Sequence, residues 1–340
     1  MKRALLIKMS SLGDVVHAMP AVSDAAAAGW QFDWVVEEAF ADLPARHPSV
    51  ARVLPIAWRR WRKSLLASRA EMKQFRAALR EQVYDVVLDS QGLIKSAAVA
   101  RLARGAERVG YDGASAREPL AARAYHRGVA VARAQHAVTR QRQLFAGALG
   151  YEFAGPERYG LESGESDAAP VCLFLHGTTW DSKHYPEALW QALIELAAAD
   201  GYQVALTFGN EVEAARAERL AAHPAAVVWP KSSIAELVAR IAGVRLVVGV
   251  DSGLTHLATA LGVTTVGLYG STDASLTGCR GPNARARSVV FECAPCLNQT
   301  CRFPAADHGL IYPPCYETLT AKEVWREAMD CVNAHRLQHI

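Results

Sequence analysis

Short apolar runs rich in β-forming residues recur along this chain, separated by longer stretches in which apolar positions return at helical spacing. In the first half, Ala4–Ile7, Phe32–Val36, Arg52–Ile56 and Asp85–Leu88 predict strands. Helices are predicted from Val15 onward and over Leu65–Val83, Leu93–Arg104 and His136–Leu149. Residues 152–170 then lose periodicity and collect Gly155, Pro156, Gly160, Gly164 and Pro170 among several acids, which predicts a linker. Beyond it the pattern restarts. Strands are predicted at Val171–Leu175, Gln203–Phe208, Ala226–Trp229, Leu246–Val250 and Thr264–Tyr269, and helices over Ala188–Asp200, Val212–Ala222, Ile234–Ala242 and Leu254–Leu261. Ala321–Arg336 places Val324, Trp325, Ala328, Met329 and Val332 on one face, as a closing helix packed on the body would. Strands alternating with helices argue for parallel sheets covered on both faces, hence an α/β protein.

A length of 340 residues is long for one core, so two domains are expected, 1–160 and 161–320, with 321–340 as the closing helix. Composition is ordinary for a globular protein, with 51% hydrophobic and 21% charged residues. The opening MKRALLIKMSSLGD lacks the sustained apolar region of a secretory signal, and no uncharged stretch is long enough to cross a bilayer. A cytoplasmic protein is expected. Charge adds more. Residues 1–150 carry 23 Lys/Arg against 13 Asp/Glu, a balance of +10, whereas residues 151–340 carry 14 against 21, a balance of −7. The first half is suited to an anionic partner: a phosphorylated molecule, an anionic lipid surface or nucleic acid.

Four of the seven cysteines, Cys293, Cys296, Cys301 and Cys315, lie close together in sequence and begin with a C-x2-C pair. In a cytosolic chain this spacing suggests a structural zinc before it suggests disulfides, with neighbouring loop thiols as the competing reading.

Candidate chemistry falls in four turns that follow predicted strands, where ligands of open α/β sheets bind. Ser10–Asp14 offers one carboxylate, Asp14, which on its own reads equally as a helix cap. Neither G-x-G-x-x-G nor G-x-x-x-x-G-K-[ST] occurs, so standard dinucleotide and P-loop sites are poorly supported. His176-Gly177-Thr178-Thr179 with Lys183 offers two hydroxyls and an ammonium for phosphate oxygens, or is a surface turn with an incidental lysine. Gly209–Glu213 offers a carboxylate for ribose hydroxyls, or simply an acidic first helical turn favoured by the helix dipole. Asp251–His256 is the most specific of the four. Its backbone N–H groups from Ser252 to Thr255 form a helix N-terminus suited to an anion, and Asp251, repelled by a diphosphate, is assigned to sugar hydroxyls. His256 contacts the ligand or packs. The basic half adds Trp58–Lys63, with cations and tryptophans interleaved, and Arg117, His136 and Arg140.

Together these residues resemble the lipopolysaccharide heptosyltransferases, glycosyltransferases that use ADP-heptose. The resemblance rests on K-x-S-S-L-G-D at Lys8–Asp14, on Trp34–Glu38, Asp89–Lys95, Ala116–Leu120 and His176–Lys183, and on Asp251–Leu257; it spans most of residues 1–270. Trp58–Lys63, Arg117 and His136 resemble in particular the members that add the first heptose to Kdo on lipid A. The Cys293–Cys315 segment departs from that pattern and is similar to other members, so addition of a later heptose is the alternative.

The resemblance implies the GT-B fold, two Rossmann-like doubly wound parallel-sheet domains facing a central cleft, the first binding the acceptor and the second ADP-heptose. It implies Asp14 as catalytic base; Thr178, Thr179 and Lys183 as diphosphate contacts; and Glu213 as the ribose contact. Asp251, Ser252, Gly253, Leu254, Thr255 and His256 would form the rest of the donor site, with Ser11 and Gly13. Arg59, Arg60, Arg62, Lys63, Arg117, His136 and Arg140 would bind the phosphates and carboxylates of Kdo2-lipid A. The implied reaction is inverting and requires no cofactor or catalytic metal. It is expected at the cytoplasmic face of the inner membrane, with domain closure. A non-enzymatic two-lobed phospho-ligand-binding protein would share this architecture without needing Asp14, and a nucleic-acid partner rests on basic charge alone.

Overall fold

The computed structural model describes residues 2–161, 170–304 and 311–337. The chain divides into two compact units, Met1–Leu161 and Glu162–Ile340. In the first, β1 (Lys2–Ile7), α1 (Leu12–Ala27), β2 (Trp30–Glu37) and β3 (Val50–Ile56) are followed by the short α2 (Trp58–Trp61) and by α3 (Arg69–Leu79). Then come β4 (Tyr84–Asp89), α4 (Ile94–Leu102), β5 (Gly105–Tyr111), β6 (Arg127–Val129) and α5 (Ala137–Leu149). The sheet is parallel in the order β3-β2-β1-β4-β5-β6. β1 lies at its centre, which is why Ala4 to Ile7 are fully buried and read as one apolar run.

The second unit repeats the plan. It holds β7 (Val171–Leu175), α6 (Glu187–Ala199), β8 (Gln203–Leu206), α7 (Glu211–Leu220), β9 (Ala226–Val228) and α8 (Ile234–Ala242). These are followed by β10 (Leu246–Val250), α9 (Gly253–Ala260), β11 (Thr264–Tyr269), α10 (Ala274–Thr277), β12 (Ala284–Ser288) and α11 (Ala321–Leu337). Its parallel order is β12-β11-β10-β7-β8-β9. Counted from its own first strand this is again 3-2-1-4-5-6, the doubly wound dinucleotide-fold order. The core gathers Phe174, Tyr185, Trp190 and Tyr316, all essentially inaccessible; burying Phe174 alone contributes roughly 1.5–3 kcal/mol. α11 belongs to this unit and packs on α6 and β11, with the Trp325 indole N–H donating to Asp200 (2.7 Å).

The differences from the sequence reading have local causes. β6 and β12 lack continuous apolar runs because they are edge strands, and β5 because it lies next to one; Arg127 of β6 pairs with Glu107 of β5 at 2.8 Å. The helix expected over 65–83 is trimmed to α3, since residues 62–67 are exposed and offer no face to bury. Helix α1 begins three residues before Val15, at Leu12, with Ser11 as its N-cap. Asp14 therefore is not the cap but lies within the first turn. Of the linker expected over 152–170, residues 162–169 lie outside the described residues.

Candidate active site

In each sheet the direction of strand addition reverses between two central strands, β1/β4 in the first and β7/β10 in the second. The turns leaving those strands diverge there and open a crevice, the place where doubly wound sheets bind ligands. Ser11, Gly13 and Asp14 follow β1, Thr178, Thr179 and Lys183 follow β7, and Asp251–His256 follow β10; Glu213 follows β8, and the basic candidates follow β3, β5 and β6.

In the first unit the turn after β1 is held from both sides. Ser11 N–H donates to Asp14 Oδ2 (2.8 Å), as does the Ser11 hydroxyl (3.0 Å). Lys8, only 4% exposed, donates to the Ser90 carbonyl (3.3 Å) and places its ammonium 3.6 Å from Asp14 Oδ1. Burial disfavours the charged form of Asp14, but Lys8, the Ser11 N–H, His17 and the Ser11 hydroxyl outweigh it and hold the pKa below the ordinary carboxylate value. Asp14 is thus ionised at neutral pH while its side chain keeps 39% of its exposure.

The neighbouring turn after β4 supports this arrangement. Asp89, fully buried, accepts from Gln91 N (2.9 Å), Gly92 N (3.3 Å) and the Tyr125 hydroxyl (2.7 Å). Gly92 takes a φ of +67°, and a Cβ there would stand 3.3 Å from the Tyr111 ring. Lys95 donates to Ser10 Oγ (3.3 Å). Burial lowers its pKa; Glu37 opposes this, and the like charges of Arg59 and Arg62 add to it. Lys95, Arg59 and Arg62 are therefore near enough to feel one another.

The basic residues expected for an acceptor are not equivalent. Arg62, Lys63 and Arg117 are exposed. Arg59 lies over the Phe40 ring (5.6 Å), and its backbone N–H is taken by Glu37 (3.0 Å). Arg60 is held between Glu38 (3.1 Å) and Glu71 (2.8 Å), and Glu71 also accepts from the Trp61 indole (2.8 Å). His136 caps α5 by accepting from Val138 N (3.2 Å). Arg140 donates to the Ser115 carbonyl (2.9 Å) and lies over Tyr111.

In the second unit Asp251, at the end of β10, is the centre of the site. Its Oδ2 is 2.7 Å from Lys183 Nζ and accepts from the Thr272 hydroxyl (2.8 Å), while His256 Nε2 lies 3.5 Å from Oδ1. Burial opposes ionisation, yet His256 and Lys183 prevail and hold Asp251 far below the usual carboxylate range. Thr178 Oγ1 donates to the Asp251 carbonyl (3.1 Å), tying the turn after β7 to the turn after β10. Ser252 caps α9, accepting from Thr255 N (3.4 Å), and the Thr255 hydroxyl donates back to the Val250 carbonyl (2.7 Å). That close return requires Gly249, where a Cβ would stand 2.3 Å from Thr255 Oγ1. Gly253 and Leu254 open α9, whose early N–H groups point out of the helix end.

Glu213 joins the same crevice. Its Oε2 accepts from Gly209 N (2.7 Å), Asn210 caps α7 through Glu213 N (2.9 Å), and a Cβ on Gly177 would meet the Glu213 carboxylate carbon at 2.8 Å. The sequence reading missed Thr272 and Ser271, which sit in the polar turn after β11; a strand followed by Gly270-Ser271-Thr272-Asp273 was the available signal. Ser182 ties that turn to the cysteine loop, sharing a hydrogen bond with Ser271 Oγ (2.9 Å) and donating its N–H to the Gln299 carbonyl (3.1 Å).

Cys293, Cys296, Cys301 and Cys315 line one cavity beside this loop. All four are free, and among the described residues no group of three or more His, Cys, Asp or Glu is gathered so that it could hold a metal ion. The structure gives the expected structural zinc no support: the spacing brings the thiols to one cavity but not into a ligand shell. No described helix is long and apolar enough to cross a membrane.

The family model of glycosyltransferase family 9 (heptosyltransferase) matches residues 72–306. Lipopolysaccharide heptosyltransferase 1 of Pseudomonas aeruginosa is 47% identical over 95% of this chain and 96% of its own length. The enzyme of the same name from Escherichia coli K12 is 46% identical over 83% of this chain and 92% of its own. The solved structure of E. coli heptosyltransferase WaaC with ADP superposes with a TM-score of 0.85, at 40% identity, covering 97% of this chain and 99% of that one. The structure of that enzyme with ADP-2-deoxy-2-fluoro heptose gives 0.80, at 41% identity, over 96% and 99%. Two parallel-sheet α/β units and these similarities lead to one conclusion: the chain is a glycosyltransferase of the GT-B class and belongs to family 9, the heptosyltransferases.

Proposed function

We propose that this enzyme transfers L-glycero-D-manno-heptose from ADP-heptose to the Kdo of Kdo2-lipid A, with inversion, in the inner core of lipopolysaccharide. The observation that carries the reading is the charge placed at the two switch points. One has an ionised Asp14 held by Lys8; the other has Lys183 and the N-terminus of α9 around Asp251. Similarity to enzymes named lipopolysaccharide heptosyltransferase 1 favours the first heptose over a later one.

In this reading the first unit recognises the acceptor and the second holds the donor. Asp14 accepts the proton of the attacking Kdo hydroxyl as the new glycosidic bond forms on the face opposite ADP. Its lowered pKa keeps it unprotonated at pH 7, at some cost in basicity. Charge growing on the departing diphosphate is met by Lys183, by the Thr178–Thr179 turn, and by the N–H groups at the start of α9 from Ser252 onward, the Thr255 N–H being given to the Ser252 cap. Glu213 takes the ribose hydroxyls, and Asp251 with His256 the heptose. Ser11 and Gly13 approach the donor from the β1–α1 turn. Arg59, Arg62, Lys63, Arg117, His136 and Arg140 orient the phosphates and carboxylates of the acceptor, and Arg60 does so while braced by Glu38 and Glu71. The lipid A portion places this encounter at the cytoplasmic face of the inner membrane, with the protein peripheral to it.

The test is transfer by the purified protein from ADP-heptose to Kdo2-lipid A or to its mono-heptosylated product, read by mass spectrometry. One added heptose on the first acceptor alone is expected. Transfer to the second alone would assign a later heptose, and transfer to neither would reject the reading.

A further inference from the structure

The turn that carries Asp14 receives hydrogen bonds from a side chain the reaction as described does not use. Gln91 Oε1 accepts from both Met9 N (2.9 Å) and Ser10 N (3.1 Å), while its Nε2 donates to the Ser10 carbonyl (2.6 Å). Two N–H donors on one side and a carbonyl on the other fix which end of the amide is oxygen. Gln91 is itself 8% exposed, and its backbone N–H is held by the fully buried Asp89 (2.9 Å), which is held in turn by Tyr125 (2.7 Å). The Met9–Ser10 segment is thus pinned, at two N–H groups and one carbonyl, from the turn after β4, 81 or 82 residues away in sequence. The pinned residues lie between Lys8 and Ser11, the two residues whose groups hold the Asp14 carboxylate.

We propose that Gln91 is a positioning residue for heptosyl transfer: its three hydrogen bonds fix the backbone between Lys8 and Ser11, and so fix where the Asp14 carboxylate stands and how it is held. The proposal rests on Asp14 being the base. Glutamine suits the task for a chemical reason. A carboxylate there would accept the two N–H groups but turn its second oxygen on the Ser10 carbonyl, and an apolar side chain of the same length would leave three backbone groups without partners in a largely buried place.

The experiment compares Gln91→Met with wild type in the full chain, with Asp14→Asn measured in parallel. Misplacing a reacting group by about 1 Å costs roughly 100-fold. Gln91→Met is therefore expected to lower kcat by about 10- to 100-fold, with ADP affinity and the ADP-heptose KM changed less than about 3-fold. The acid limb of kcat/KM should move up, because loosening Lys8 and Ser11 removes what depresses the Asp14 pKa. Amide hydrogen exchange should quicken at Met9 and Ser10 while the rest of β1 stays protected. An unchanged kcat and acid limb would overturn the proposal. So would a fall in kcat accompanied by faster exchange throughout β1, which is the mark of general destabilisation. If Gln91→Met does not fold, Gln91→Glu keeps the shape and loses the Nε2 donor; near-wild-type kcat in that variant would likewise overturn it. Asp14→Asn separates the two levels. An inactive Asp14→Asn beside a wild-type Gln91→Met rejects the clamp alone, whereas an active Asp14→Asn rejects the base and the clamp together.

Discussion

The Lys8 ammonium and the Asp14 carboxylate lie 3.6 Å apart, the lysine buried and the aspartate side chain 39% exposed. The cation is the more buried partner, and the anion keeps an open side toward solvent. Removing either charge therefore has different consequences. Without Lys8 the carboxylate loses an electrostatic partner but keeps the Ser11 bonds. Without the carboxylate a buried ammonium is left facing the Ser90 carbonyl, so Tm must be measured beside activity in any Asp14 variant.

Asp14→Asn should lower kcat by roughly 10²- to 10⁴-fold, the usual worth of a positioned general base, with ADP affinity kept within about 2-fold. Lys8→Met should move the acid limb of kcat/KM to higher pH. The sign follows from the depressed pKa: the base is lost as pH falls through it, and removing a depressing charge makes that loss begin earlier. An acid limb that stays in place in Lys8→Met would detach Lys8 from the titration of the base.

Lys183→Ala removes the cation beside Asp251 and, with it, the charge-assisted contact proposed for the diphosphate. Such contacts are worth about 1.5–3 kcal/mol, so ADP affinity should fall roughly 10- to 150-fold. Thr272→Val removes a hydrogen bond to the same carboxylate from a donor that carries no charge and is not assigned to the diphosphate, so it should cost ADP affinity less, about 10-fold at most. Calorimetric titration with ADP reads both. An unaltered affinity and unaltered kinetics in Lys183→Ala would remove it from the donor site.

Arg60 and Arg62 are two residues apart and are expected to behave differently. Arg60 is already bound to Glu38 and Glu71, whereas Arg62 is exposed. Arg62→Ala should raise the acceptor KM by about 10-fold or more, as loss of a bond between charged groups does. Arg60→Ala should act less on acceptor KM and share its effect with Glu71→Gln, since both break the same brace. Equal acceptor defects in Arg60→Ala and Arg62→Ala, with Glu71→Gln silent, would show that the brace has no part in how Arg60 meets the acceptor.

His176 follows β7 and is fully buried, and burial, with Arg216 and His184 beside it, lowers its pKa to about 4. Between its ordinary value near 6.5 and about 4 the unfolded chain binds a proton that the native imidazole refuses. Stability should therefore fall with falling pH across that window, by about 1.4 kcal/mol per unit from this one group. Denaturant unfolding of wild type and His176→Gln at several pH values checks it: the difference between them should shrink as pH drops. A constant difference from pH 7 to pH 4 would show that His176 does not titrate there.

Much of the architecture was legible because central parallel strands are buried on both faces and appear as unbroken apolar runs. Val171–Leu175, Leu246–Val250, Thr264–Tyr269 and Ile234–Ala242 agree with the observed elements to the residue. The edge strands β3 and β9 were legible, whereas β5, β6 and β12 were not, since Glu107, Arg108 and Arg127 are pairing surface rather than core and look like loop residues. Among the candidate residues, Asp251 stood out as a charged group directly after a strand, and Asp14, Lys183 and Glu213 as charged groups in the turn or first helical turn beyond one. Thr272 and Gln91 did not, because a hydroxyl or an amide after a strand is common and only its partner gives it meaning.

By itself the sequence determined the two-fold repetition of strand and helix, the basic first half and the turns in which polar chemistry collects. These are properties of residue types and their spacing. The tertiary structure decided which of those turns meet. Sheet order brings the β1 turn beside the β4 turn and the β7 turn beside the β10 turn, across 82 residues from Met9 to Gln91 in one case and 73 from Thr178 to Asp251 in the other. It also decided that Arg60 is braced by Glu38 and Glu71, that Asp14 accepts from the Ser11 N–H from inside the first turn rather than standing at the N-cap, and that Lys8 lies buried against it. Local sequence encodes a propensity within a few residues, whereas a charge or an amide acquires its role from whatever the strand order places at hydrogen-bond distance.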